Sequence, residues 1–282
     1  MADIRTVETP GSPYGVTVDA HGGVWFTMVD KGAIGRLTGD QVEVFPLDPA
    51  DGQPTVIVAG PGDALWFTEF RGNRLGRIDH DGELSFVKAD GPYGLCVGPD
   101  GALWFTEPGT GHIGRLDADG ALTRFAAPGM PSMIVPGSDG ALWCTLNQGN
   151  AIGRLTVDGA LTTFALPTEQ AGPIGITAGP DGALWFVEIG AGQLGRITTD
   201  GAIIEFPLPD RAARPHAIVT GSHGALWFTE WGTSRLGRCT VEGDITVTDL
   251  PGAEPHGIAA APDGTLWVAM ESGALVNVAP AH

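Results

Sequence analysis

The chain has 282 residues, 43% of them hydrophobic and 17% charged, enough for one large domain or two small ones around a packed core. A net charge of −18 argues against a nucleic-acid backbone or an anionic membrane surface as partner, since both call for a basic face. The 44 glycines and 22 prolines make up about a quarter of the residues, yet they recur at fixed places and so read as turns.

The N-terminus, Met1-Ala2-Asp3-Ile4-Arg5, carries no charged segment followed by an apolar run, so no signal peptide is expected. No stretch approaches the ~20 apolar residues of a membrane span. Cys96, Cys144 and Cys239 are odd in number and lie in three different repeats. Buried, reduced thiols and a cytoplasmic location follow as expectations.

Ile4 to Glu8 reads as a strand that precedes any complete repeat. From Pro13 onward one unit recurs seven times. Tryptophans 25, 66, 104, 143, 185, 227 and 267 are spaced by 41, 38, 39, 42, 42 and 40 residues. Each follows a proline by 12 residues, from Pro13 to Pro255, across an apolar run and a turn such as Gly98-Pro99-Asp100-Gly101. Eleven residues after the first six tryptophans comes the arginine of an Ile/Leu-Gly-Arg triplet, from Arg36 to Arg238. A second turn then leads to a strand such as Leu122-Thr123-Arg124-Phe125. Four short strands per repeat of about 40 residues describe a β-propeller blade. The expected fold is all-β, a single seven-bladed propeller over residues 1–282, with four antiparallel strands in each blade. The last repeat runs out after its third strand, near Val278, so the N-terminal strand is expected to complete the seventh blade and close the ring.

Several motifs mislead. Gly109-Thr110-Gly111-His112-Ile113-Gly114 and Gly190-Ala191-Gly192-Gln193-Leu194-Gly195 match a dinucleotide loop, but neither opens a helix. Asp79-His80-Asp81-Gly82 and Asp117-Ala118-Asp119-Gly120 lack the later glutamate of a calcium loop and read as hairpin turns.

The places where the seven copies differ are more informative. The residue after the proline varies: Tyr14, Thr55, Tyr93, Ser132, Ile174, His216 and His256. In a propeller these side chains should ring one mouth of the central channel, as candidates for an organic ligand's binding site. Glu69, Glu107, Glu188 and Glu230 sit three residues after their tryptophans, and a structural role is expected for them. Glu271 and Trp231 sit four after theirs and should share the face of the ring with His216 and His256. In Glu254-Pro255-His256-Gly257, an extended backbone would project the Glu254 carboxylate and the His256 ring to the same side. Arg214 is open between orienting a substrate carbonyl and pairing with acids. His21, His80, His112, His223 and His282 fall in turns or at the terminus and receive no role.

Taken together, the Trp-Phe-Thr-Glu and Ile/Leu-Gly-Arg repeats resemble the virginiamycin B (streptogramin B) lyases across essentially the whole chain. So do Pro13-Tyr14-Gly15, Arg214-Pro215-His216-Ala217, Glu254-Pro255-His256-Gly257 and Ala269-Met270-Glu271. The resemblance implies a Mg²⁺-dependent enzyme that linearises cyclic depsipeptide antibiotics by elimination at the lactone ester. It implies His256 as general base, Glu254 and Glu271 as metal ligands, and His216 in contact with substrate. Tyr14, Tyr93 and Trp231 join as substrate-binding candidates from their place on the ring. A small-molecule substrate and a monomer are the expected company. Two departures stand out: Trp143-Cys144-Thr145-Leu146 in blade four, and Leu275-Val276-Asn277 in place of Gly-Arg in blade seven. A non-catalytic binding propeller and a metal-dependent lactone hydrolase are the competing readings.

Overall fold

The computed structural model describes residues 3–280. His282 and the side chain of His223, both without a role above, lie outside what it describes. The chain forms seven four-stranded antiparallel sheets. The inner strand of each sheet packs on that of the next, and the first (Pro13–Val18) packs on the last (Pro255–Ala260), so the blades form a ring. The seventh sheet takes its outer strand, Asp3–Glu8, from the N-terminus, in register Ile4↔Val278 to Glu8↔Ala274.

Within a blade the repeat residues form one packing device. The second strand is buried along its whole length in six blades, as in Leu103–Glu107, and in blade two only Trp66 is half-buried. The tryptophan stacks on a phenylalanine of the fourth strand, with centroids 5.2–5.7 Å apart in blades one, three, four and five. The repeat arginine lies 5.0–6.0 Å over the same indole in those blades. In blades three to five its Nε also donates to the turn aspartate that accepts from the tryptophan Nε1. Buried Trp and Phe rings contribute most of the apolar area in such an interface.

The triplet glycine is needed because the phenylalanine after the tryptophan lies across it. A Cβ on Gly35 would stand 2.2 Å from the Phe26 ring. This accounts for the departure in blade seven, where Val268 opposes Val276 and a large-small pair becomes two medium side chains. In blade four the glycine is kept: Cys144 opposes Gly153, and the Leu146 and Leu161 side chains also come within 3.5 Å of where a Gly153 Cβ would stand. Three of the four glutamates placed three after the tryptophan do pair internally. Buried Glu69 pairs with Arg74, Glu107 with Arg124, and Glu188 accepts from Gln193. The fourth, Glu230, accepts from Thr233. These acids secure turns and play no part at the channel mouth. Among the described residues no helix is long and apolar enough to cross a membrane.

Candidate active site

In six blades the inner strand changes register between the proline and the third residue after it, so two residues there oppose one on the second strand. Such a bulge re-aims a side chain at the rim of a sheet. In blade seven the bulged residues are His256 and Gly257. Gly257 allows close passage of the next blade, since a Cβ there would lie 2.6 Å from the Tyr14 carbonyl oxygen. The His256 carbonyl is held from the other side by Thr229 of blade six, whose Oγ1 donates to it at 2.9 Å. The Glu271 N–H donates to the Glu254 carbonyl at 3.0 Å, and the Trp231 N–H to that of Arg214 at 3.1 Å. Thus both histidine-bearing proline motifs are ladder partners of the residue four after their own blade's tryptophan.

The side chains selected from the sequence meet at this mouth. Tyr14 stacks on His256 with centroids 4.3 Å apart. His216 meets the same imidazole edge-on at 4.7 Å, and Trp231 lies 6.3 Å from it. The Tyr14 hydroxyl is 2.9 Å from that of Tyr93 and 3.5 Å from His216 Nε2. His256 Nε2 contacts Glu271 Oε2 at 2.6 Å. Arg214 places its guanidinium 5.4 Å over the Trp231 ring, which favours orienting that indole over pairing with acids. Below the ring of post-proline residues the channel opens into a cavity of about 510 Å³, and above it lies a second of about 400 Å³ bordered by Glu271.

Burial sets the charge states. It lowers His256 to about 4, and together with the adjoining His256 it lowers His216 to about 3, so both imidazoles are neutral near pH 7. Burial also raises Tyr14 and Tyr93, which remain phenols. Glu271 is raised by burial and then by the Asp30 carboxylate.

One expectation needs correction. Glu254 is not extended: its φ is +57°, its side chain is exposed, and the strand begins at Pro255. Gln53, Gly91, Met130, Gly172 and Arg214, which precede the corresponding prolines, share this left-handed conformation. Five of these six carbonyls, Gly91 being the exception, accept the N–H of the residue four after the tryptophan. The conformation does not track that bond, since Ser12 of blade one accepts the Val29 N–H without it and Gly91 adopts it without the bond. In blade three the donor position is Pro108, which has no N–H, and the inner strand there shortens to Leu95–Val97. Glu254 therefore adjoins Glu271 through the backbone rather than lying parallel to His256.

Glu254 and Glu271 carry oxygen donors of the kind a hard divalent cation takes. Among the described residues the Glu254 carboxylate has no ion-pair partner, and Glu271 feels Asp30 as a second negative charge nearby. Carboxylate oxygens with room for water are a Mg²⁺ type of donor set. Sequence reading missed the apolar part of the mouth. Val29, Phe70 and Met130 border the upper cavity, and Phe70 and Met130 are exposed there. The signal was available: Val29 and Phe70 stand four after their tryptophans, as do Trp231 and Glu271.

Comparison with known proteins gives one consistent family. The profile described as "Virginiamycin B lyase family" matches residues 1–278. A curated virginiamycin B lyase from Nocardia farcinica is 58% identical over 173 residues, 61% of this chain and 62% of that protein's length. The crystal structure of virginiamycin B lyase from Staphylococcus aureus superposes over the full length of both chains, with a TM-score of 0.96 and 39% identity. A catalytically inactive variant of the Staphylococcus aureus enzyme, solved with quinupristin, also covers both chains fully, with a TM-score of 0.95.

Proposed function

The chain belongs to the virginiamycin B lyase family, and from that premise we propose that it opens the lactone of streptogramin B-type cyclic depsipeptides by elimination. The observation that carries this reading is a neutral, enclosed His256 in contact with the Glu271 carboxylate, at the mouth of a cavity with an apolar wall. The naming of the solved relatives and the inactive variant with quinupristin support it.

The reaction needs a base for the proton on the carbon next to a carbonyl. His256 Nδ1 is buried without a hydrogen-bond partner, so Nε2 is the nitrogen a substrate can reach. A neutral imidazole carries one ring proton, and the base form is the tautomer that holds it on Nδ1 and presents the Nε2 lone pair to the substrate once Glu271 gives up its contact with Nε2. The substrate C–H bond breaks, its proton passes to Nε2, and its electron pair forms the carbon–carbon double bond. The ester C–O bond then breaks and a carboxylate leaves, so no water is consumed. A carboxylate is already a stable anion, and the neutral His216 and the phenols of Tyr14 and Tyr93 need only hydrogen-bond and orient the ester. Glu254 and Glu271 would hold Mg²⁺, which would supply Lewis-acid stabilisation of negative charge on the carbonyl oxygen. The exposed Phe70 and Met130, with Trp231 held by Arg214, suit apolar side chains of a depsipeptide.

The same reading takes the protein as a cytoplasmic monomer: its three cysteines are free and buried, and the ring supplies its own last strand. Mass spectrometry of the ring-opened product tests the reaction type. Elimination gives an isomer of the substrate carrying a new double bond, whereas hydrolysis adds one water; a product heavier by one water would replace the lyase reading with a lactonase.

A further inference from the structure

A second group of ligating side chains lies on the opposite face of the propeller, across the junction of blades one and two. His21 is in the turn between the strands Pro13–Val18 and Val24–Met28 of blade one. Asp63 is in the corresponding turn of blade two, and His80 is in the hairpin between Arg74–Ile78 and Leu84–Lys88. His21 Nε2 stands 3.2 Å from Asp63 Oδ2, and His80 Nε2 stands 3.6 Å from Asp63 Oδ1. One donor atom from each of the three falls within 4.8 Å of the others, the sole such trio among the described residues. Bonds of 2.0–2.1 Å to a tetrahedral ion put neighbouring donors about 3.3 Å apart, close to the two separations between Asp63 and the histidines.

The repeats show that this arrangement departs from the blade's own packing. In blades three, four and five an aspartate four before the tryptophan accepts its indole N–H. Blade two has Gly62 there, and Trp66 Nε1 is left buried without a partner. Its acid comes one residue later, where the other six blades place a glycine with φ between 69° and 88°. Asp63 takes that left-handed conformation at φ 55°, an uncommon one for a non-glycine residue, and faces the two histidines instead of the indole. His80 is prepared in a further way. Its Nδ1 faces the buried Asp19 carboxylate at 3.7 Å, while its Nε2 is buried without a hydrogen-bond partner. A histidine backed by a carboxylate on its outer nitrogen is the usual support of a metal-bound imidazole.

We propose that His21, Asp63 and His80 form a site for a divalent transition ion of the zinc class, joining blade one to blade two. Two imidazole nitrogens and one carboxylate oxygen suit Zn²⁺ over Mg²⁺ or Ca²⁺, which favour all-oxygen sets, and the exposed side of the site leaves the fourth position to water. The site is separate from the carboxylates at the channel mouth.

The test uses the full-length protein, freed of metal and titrated with Zn²⁺ while excess Mg²⁺ is present. Wild type is compared with Asp63→Gly, which installs the residue the other blades carry and should fold normally. The wild type should bind one more zinc per chain than Asp63→Gly, and zinc should raise its melting temperature but not that of the variant. Co²⁺ in place of Zn²⁺ should give visible tetrahedral absorption in the wild type alone, with Mg²⁺-supported ring opening equal in both. Equal zinc stoichiometry in the two proteins, or no zinc-dependent shift in the wild type, overturns the site.

Discussion

The imidazole of His256 sits between an aromatic stack and a carboxylate, and the two act on it in opposite directions. Enclosure against Tyr14 and His216 disfavours the imidazolium and keeps the resting ring uncharged, with its pKa at about 4. The Glu271 carboxylate at 2.6 Å favours a proton on Nε2 and stabilises it once it has come from the substrate. Glu271 thus serves the ring and, in the proposed mechanism, the metal. In the same mechanism Glu254 would serve the metal alone, since its carboxylate is exposed and makes no contact with His256 among the described residues. Glu254→Gln should raise the Mg²⁺ concentration for half-maximal rate by about tenfold or more and leave the saturating rate close to wild type. Glu271→Gln should raise that requirement and also lower the rate at saturating Mg²⁺. Metal titrations of ring opening separate the two, and unchanged metal dependence in both variants would remove these acids as ligands.

An inner strand cannot by itself hold a bulged residue at a fixed angle, and the neighbouring blade supplies the second anchor. The hydroxyl of the threonine two after the tryptophan donates to the post-proline carbonyl of the next blade in blades one, two, three, four and six. The blade-six copy, Thr229, holds His256. Thr229→Val keeps the shape and removes two hydrogen bonds, the one donated to the His256 carbonyl and the one accepted from the Ala217 N–H, so a stability loss of about 2 kcal/mol is expected. Ring opening should fall more than that figure suggests, because the base itself is misplaced. Parallel melting and kinetic measurements check this, and normal turnover in the variant would show that the anchor is structural only. Much of this element was legible beforehand. The proline-to-tryptophan spacing located the post-proline ring, and comparison of copies separated Glu271 and Trp231 from the buried glutamates. The conformation of Glu254 was not legible, because a following proline biases the preceding residue toward extended backbone, and the left-handed conformation shared by six of these pre-proline positions shows only in the structure. Phe70 was passed over although it stands four after its tryptophan, as Trp231 and Glu271 do, and the exposure of Met130 shows only in the folded ring.

Ring closure is the property that no single blade has. The Asp3–Glu8 strand ties the two ends of the chain together and covers the edge of Ala274–Ala279, which would otherwise offer unpaired backbone groups. Removing residues 1–10 should lower the melting temperature by roughly 5 °C or more and favour association through the exposed edge. Calorimetry and light scattering test this, and a truncated chain that melts like the full one would mean the closure contributes little. The fold was legible because seven copies repeat the same spacing, and the exceptions kept the packing: Val268 against Val276 fills the space of a Phe and a Gly. The His21–Asp63–His80 cluster stayed hidden, since it joins two turns of one blade to a third of its neighbour and follows no motif. The account as a whole rests on His256 as the base in an otherwise intact ring. The most direct measurement is the turnover of a streptogramin B by His256→Ala, alongside its melting curve and Mg²⁺ binding. Loss of about 10²–10⁴-fold in rate with folding and metal binding unchanged is predicted; near-normal ring opening by a folded His256→Ala protein would contradict it.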